Sequence, residues 1–310
     1  MNPVEPTPRA GRAVRIAAVG DLHYGRAVPG SLQPWLSQMA ASADIVALCG
    51  DLTDHGLPEE ARLLAADLTS QLKVPTVAVL DNHDYEAGQA AEIKKILEGA
   101  GLLVLDGEHV ELLGVGFAGV KGFGGGFGVH ALQAWGEELI KSFVQEAVTE
   151  ALKLETAIAR LRTEHRVALL HYAPIDETIR GEAPEIHAFL GSSRLEEPLA
   201  RHPPTAIFHG PAHHGQPLGH TRVGTPDTTS PRPCSSKRPR PVARSTSSSS
   251  PPAAPRSRHL KRRRPFARRM RRGRSEGTRR GRQGSCPGSG KRSTMPGDAF
   301  PKADPRRRGR

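Results

Sequence analysis

Seven polar residues fall where short apolar runs stop: Asp21 and His23, Asp51, Asn82 and His83, His171, and His213. Aspartate, asparagine and histidine together form a donor set suited to borderline divalent cations such as Mn, Fe, Zn or Ni rather than Ca. Taken singly the pieces are weak. Asp-x-His arises often by chance, a lone histidine is more often a structural hydrogen-bonder than a ligand, and Gly-Asp after a strand can be only a turn. The ordered set is far more specific: Asp21-Leu22-His23, then Gly50-Asp51, then Asn82-His83-Asp84, then His171-Tyr172-Ala173-Pro174, and a final histidine-rich turn at 213–214. Carboxylates and imidazoles gathered in one place repel or stay unpaired unless a cation lies among them.

The runs that carry these residues read as strands at 14–19, 45–49, 76–80, 166–170 and 205–208. Four to eight apolar residues between polar turns fit strands covered on both faces. Helices are expected between them. Residues 58–72 open on Pro-Glu-Glu, a favourable first turn, and residues 86–97 run up to a C-capping Gly99. Residues 135–161 repeat apolar side chains at helical spacing, with Trp135, Leu139, Phe143, Ala147 and Ala151 on one row and Val144, Val148 and Leu152 on another. This is an α/β pattern of layered sheets and helices, and in such sheets ligands collect beyond the carboxyl ends of the strands. The Gly-rich stretch 121–128 lacks the Lys-Ser/Thr of a phosphate-binding loop and reads as a flexible connection to the long helix, with a lid over the site as the lesser reading.

The formal net charge of +12 joins two unlike segments: residues 1–220 hold 17 Lys/Arg against 28 Asp/Glu, whereas 221–310 hold 27 against 4. A basic pI is therefore no property of the folded part, and the acidic part offers no basic groove for nucleic acid. Val223, Val242 and Leu260 are the only Val, Ile or Leu after residue 220, too little apolar area to offset ordering. The expected organisation is a disordered segment 1–13, a folded domain 14–221 and a basic Pro/Ser/Arg-rich tail 222–310. Three readings of the tail stand: a solvated segment, a binder of nucleic acid or an anionic surface through counterion release, or a frameshifted reading of a GC-rich gene. The three cysteines form no CxxC and no disulfide framework, which fits a reducing, cytoplasmic compartment. No signal peptide and no run of about 18 apolar residues is seen, so no membrane span is expected.

In their order, DLH, GDLTD, NHD, HYAP and GPAHHG make residues 14–220 resemble the calcineurin-like metallophosphoesterases. The resemblance implies a four-layer sandwich of two mixed β-sheets flanked by helices, and a site with two divalent metal ions. Carried over by motif, it implies that Asp21, His23 and His213 bind the first metal, that Asp51 bridges, and that Asn82 and His171 bind the second. It also implies that His83 is the general acid beside the phosphate. The implied activity is hydrolysis of a phosphomonoester or phosphodiester, with a small phosphorylated substrate favoured.

Two positions depart from the family pattern. Its Gly-Asn-His-Asp/Glu reads Asp81-Asn82-His83-Asp84 here, which adds a negative charge beside the site and asks Asp to take a left-handed turn. Its Gly-His-x-His reads Gly210-Pro211-Ala212-His213, so Pro211 occupies the place of a second-metal ligand and has no donor atom. The departures leave a weakened or catalytically degenerate site as the alternative to an active enzyme. The family also continues past this motif into closing strands. Residues from 222 onward give no sign of them, and their loss would leave an open sheet edge.

Overall fold

The computed structural model describes residues 13–26, 30–210 and 212–230. The segment expected to be disordered, nearly all of the basic tail with its nucleic-acid reading, and Pro211 lie outside these residues. Among the described residues, no helix is long and apolar enough to cross a membrane.

The first half builds one sheet. Strands β1 (Ile16–Val19), β2 (Ile45–Cys49), β3 (Thr76–Val79) and the two-residue β4 (Leu103–Val104) lie side by side in that order and are all parallel. Helices α1 (Gln33–Ser42), α2 (Pro58–Gln71), the single turn α3 (Asn82–Tyr85) and α4 (Ala90–Gly99) connect them. The second half adds β5 (Glu108–Leu112), β6 (Val115–Gly119), α5 (Glu138–Ala159), β7 (His165–Leu169), α6 (His187–Leu190), α7 (Ser193–Arg201), β8 (Ala206–His209), β9 (Leu218–His220) and β10 (Pro226–Thr229). Its sheet has the order β5-β6-β7-β8-β10-β9, parallel at the centre and antiparallel at both edges.

Alternation along the strands makes the layers. In β2, Val46 and Leu48 pack toward the helices with Leu36, Leu64, Leu68, Ile93 and Leu97, whereas Ile45, Ala47 and Cys49 face the other way. There they meet Val115, Phe117, Val167, Leu169 and Phe208 of the second sheet, which form the core between the sheets. The outer face of the second sheet gives Ala118, Ala168 and Ile207 to a third core with Leu154, Ile158, Leu195 and Leu199 of α5 and α7. A strand buried on both faces must be apolar at consecutive positions, and this is why β1, β2, β3, β7 and β8 read as apolar runs. The result is helices, sheet, sheet, helices: the expected four-layer sandwich, with the first sheet purely parallel rather than mixed.

Several local expectations are corrected. The long helix begins at Glu138, leaving Trp135 and Leu139 72% and 84% exposed; its buried face is Val144, Ala147, Glu150, Leu154, Ala157 and Ile158. The Gly-rich stretch is tied down along its length. Gly122 N–H donates to Glu150 Oε2 (2.9 Å), Gly125 N–H to the Ala188 carbonyl (2.6 Å) and Gly126 N–H to the Gly191 carbonyl (2.9 Å).

The chain does continue past residue 221, and β10 pairs parallel with β8 and antiparallel with β9, so ordered structure reaches Ser230. Ser230 donates from both N–H and Oγ to the His209 carbonyl, each at 2.8 Å. β-branched Thr228 and Thr229 suit a strand, but Asp227 and Pro226 beside them hid the pattern. Asp227 is fully buried, and neither of its carboxyl oxygens is held by a well-formed hydrogen bond; the Thr178 hydroxyl and His209 are its polar neighbours. Burial, reinforced by the Glu196 carboxylate, outweighs the nearby Thr178 hydroxyl and holds its pKa well above the usual carboxylate range. His209, 3.5 Å away, is pushed down by burial to about 3 and stays neutral.

This predicts a pH signature. The folded chain binds the Asp227 proton more tightly than the unfolded chain, so stability is lost as pH rises above the unfolded value near 3.8. Asp227→Asn removes that proton. The variant is expected to match the parent near pH 4 and to exceed it by at least about 1 kcal/mol at pH 8. Urea unfolding at the two pH values checks this, and a gap that does not change with pH overturns it.

Candidate metal centre

The parallel strands β1, β2 and β3 of one sheet and β7 and β8 of the other end at the same edge of the sandwich, and the loops beyond them interlock. Asp21 N–H donates to the Gly50 carbonyl (3.1 Å), His23 N–H to the Asp51 carbonyl (3.0 Å) and Tyr24 N–H to the Leu52 carbonyl (3.0 Å). Asp21, His23 and Asp51 all take left-handed backbone conformations, with φ of 53°, 44° and 49°. For residues other than glycine this conformation costs about 1 kcal/mol or more each, and it persists only where the surroundings over-determine it. Here it turns three side chains of two adjacent loops into one space.

Asp84 locks the third loop onto the second. Its buried carboxylate accepts from the backbone N–H groups of Leu52 (3.2 Å), Thr53 (2.8 Å) and Asp81 (2.9 Å), and from Thr53 Oγ1 (2.6 Å). On the other sheet, His171 N–H donates to the Lys121 carbonyl and Gly210 N–H to the His171 carbonyl. Two glycines keep the space open. A Cβ on Gly50 would lie 2.5 Å from His171 Nδ1, and one on Gly210 would lie 2.4 Å from the same atom.

Asp51 is the centre of the arrangement. Its Oδ2 lies 3.9 Å from His23 Nε2, 3.9 Å from His83 Nε2 and 3.8 Å from His171 Nε2. Three clusters have donor atoms within 4.8 Å of one another: Asp21, His23 and Asp51; Asp51, Asp81 and His171; and His23, Asp54 and His83. The first two share Asp51. Backbone carbonyls aim two of the imidazoles. His171 Nδ1 faces the Cys49 carbonyl at 2.7 Å and His83 Nδ1 the Asp54 carbonyl at 2.7 Å, so each Nδ1 carries the proton and each Nε2 is presented inward.

The electrostatics follow from crowding. Burial lowers the His171 pKa, but the Asp81 and Asp51 carboxylates outweigh it and hold it well above the usual imidazole range. At His83 burial also works downward, and the Asp54 carbonyl with Asp51, Asp54 and Glu86 raises the net value. At His23 burial wins and the pKa falls. Burial raises Asp81, and raises Asp84 to about 6. The residues present fit divalent cations: the donors are carboxylate and imidazole, and the fully buried Asp81 keeps an Oδ1 without a hydrogen-bond partner.

Of the residues singled out from the sequence, Asp21, His23, Asp51, His83 and His171 are brought together. Asn82 adjoins them at the start of α3; in the orientation that satisfies its amide it donates to Asp81 Oδ2 and accepts from His83 N–H at 3.2 Å. His213 is exposed between β8 and β9 and belongs to none of the three clusters. Asp81 has extended backbone, φ −148°, so the left-handed turn expected there is not required. Sequence reasoning gave no role to Asp54, whose carboxylate meets His23 Nδ1 (3.3 Å), Arg26 (3.1 Å) and His55 (3.4 Å). The second Asp of GDLTD was its only signal. A cavity of about 80 Å³ opens beside the cluster between Asn82, His171, Tyr172, Phe189 and Gly210. A wider one of about 560 Å³, around Phe127, Arg180 and Arg222, includes none of the clustered residues.

The calcineurin-like phosphoesterase family model matches residues 14–214. Among solved structures, the chain is similar to TT1561 of Thermus thermophilus, with a TM-score of 0.46 and 16% identity over 70% of this chain and 89% of that one. It is also similar to the purple acid phosphatase PPD1 of yellow lupin (Lupinus luteus) seeds, with a TM-score of 0.45 and 13% identity over 73% of this chain and 45% of that one. No curated protein matches the sequence.

Replacing Asp84 by Ala strands three buried N–H groups and frees the third loop from the second. The expected cost is about 3 kcal/mol, read as a lower urea midpoint. A loss under about 1 kcal/mol would show that Asp84 does not hold the loops together.

Proposed function

Since the chain belongs to the calcineurin-like phosphoesterase family, we propose that it is a metal-dependent hydrolase of a phosphomonoester or phosphodiester. The observation that carries this reading is the position of Asp51 Oδ2, 3.8–3.9 Å from three imidazole nitrogens and common to two donor clusters. In this reading Asp21, His23 and Asp51 hold one cation, and Asp51, His171 and Asn82 belong to a second. For His213 the support is its motif position alone. Bound there, two divalent cations, with Mn among the candidates, would draw charge from the phosphoryl oxygens and lower the pKa of a nucleophilic water.

The remaining work falls to the chain's own groups. His83 presents Nε2 toward the cluster with its other nitrogen tied to the Asp54 carbonyl, and its side chain is part-exposed, so a substrate oxygen can reach it. It would donate the proton that a leaving alkoxide needs. Asn82 can turn its amide N–H to a phosphoryl oxygen. The narrow cavity beside Tyr172 and Phe189, and the excess of acidic over basic residues before residue 221, favour a small phosphorylated substrate over nucleic acid. The buried free thiol of Cys49 is compatible with a cytoplasmic setting.

The test is hydrolysis of a chromogenic phosphomonoester and phosphodiester with added Mn. Turnover should vanish on chelation and return with metal; turnover that survives chelation sinks the reading. His83→Ala should lower kcat by about 10²–10⁴ on an alkyl phosphate, and by much less on a nitrophenyl ester, whose leaving group needs little protonation. Equal losses on both would remove His83 from the acid role.

A further inference from the structure

Resting on the two-cation reading above, we propose that Asp81 is a ligand of the second cation, supplying a carboxylate in place of the imidazole that Pro211 cannot provide. The two departures from the family motifs are then one compensating exchange. One position loses a donor atom and the other gains one.

Four observations place Asp81 in this role. It follows β3 at the carboxyl edge of the sheet and is fully buried. Its Oδ2 lies 2.9 Å from His171 Nε2, and it forms with His171 and the shared Asp51 a group of donors within 4.8 Å. Donors to one small cation at about 2.1 Å stand roughly 3–4 Å apart. The 3.8 Å of His171 to Asp51 is such a spacing, and the 2.9 Å of Asp81 to His171, an ion pair as it stands, lies at its lower edge. Its Oδ1 has no hydrogen-bond partner, although the residue is buried, where an unpaired carboxylate oxygen is costly. The side chain also has room only because residue 50 is glycine: a Cβ there would lie 2.8 Å from Asp81 Cβ.

The exchange has a chemical consequence. A carboxylate for an imidazole makes the second site harder and more anionic, which favours Mn over Zn relative to a site with the imidazole.

Mn titration of the full chain, followed by the EPR signal of free Mn and by calorimetry, tests this on the parent, Asp81→Asn, Asp81→Gly and the double variant Asp81→Gly/Pro211→His, with circular dichroism to confirm folding. The parent should bind two equivalents. In the isosteric Asp81→Asn and in Asp81→Gly the second equivalent should weaken at least about tenfold while the first is unchanged. The double variant should recover it and shift Mn-against-Zn competition toward Zn. The proposal is overturned if both single variants keep the parent's second affinity, or if the parent and Asp81→Gly each bind the same single equivalent. A folded parent that binds no Mn, Fe, Zn or Ni would instead overturn the two-cation reading itself.

Discussion

The fold's hardest electrostatic requirement is the burial of five carboxylates at one end of the sandwich. Asp21, Asp51, Asp54, Asp81 and Asp84 are each less than 10% exposed. Removing a carboxylate from water is costly unless hydrogen bonds or opposite charge replace the solvent. Asp84 solves this with four donors and becomes a structural clamp. Asp54 solves it with Arg26 and two histidines. Asp51 has one backbone N–H, from His83, and otherwise imidazoles; Asp81 has His171 and the Asn82 amide. Among the described residues neither is paired with a lysine or arginine, and the groups that face them are imidazoles, with His171 and His83 raised above the usual range.

The rest of the architecture serves that concentration. Two sheets pack face to face through Ile45, Val77, Phe117, Val167 and Phe208, and this core aligns the carboxyl ends of strands far apart in the chain. Interlocked loops then hold three aspartate and histidine residues in strained left-handed conformations. Strain of that kind survives only on a rigid support, and the uninterrupted burial of β2 and β3 provides it. Glycines 50 and 210 pack against the His171 ring, so the imidazole has little freedom to turn away.

The far strands of the second sheet show what happens where compensation is missing. Asp227 enters the sheet between β8 and β9 with only the Thr178 hydroxyl to ease its burial, beside a histidine held neutral by burial. Local sequence and fold disagree at this strand, whereas they agree at β1, β2, β3, β7 and β8. The same contrast separates Asp81 from Asp227. Both are fully buried, but Asp81 has a histidine within 2.9 Å and a second carboxylate in its cluster, the setting from which its role as a cation ligand is proposed.

Strands β1, β2, β3, β7 and β8, the helices after β2 and β6, and the residues at the strand ends were legible in the sequence by itself. Each depends on short-range signals: apolar runs of four to six, Gly-Asp turns, and helical spacing. The motif order carried the family, and with it the four layers. Strands β4, β5, β6, β9 and the late β10 were not legible: β4, β9 and β10 have only two to four residues beside polar neighbours, β5 alternates charged and apolar residues, and β6 is broken by Gly116, so each exists through its partners. The same holds for the roles of Asp54 and Asp81 and for the outward place of His213. Which side chains meet is decided by contacts across about thirty to more than a hundred residues, such as His171 on Cys49 and His83 on Asp54, and only the packed sheets bring those atoms together.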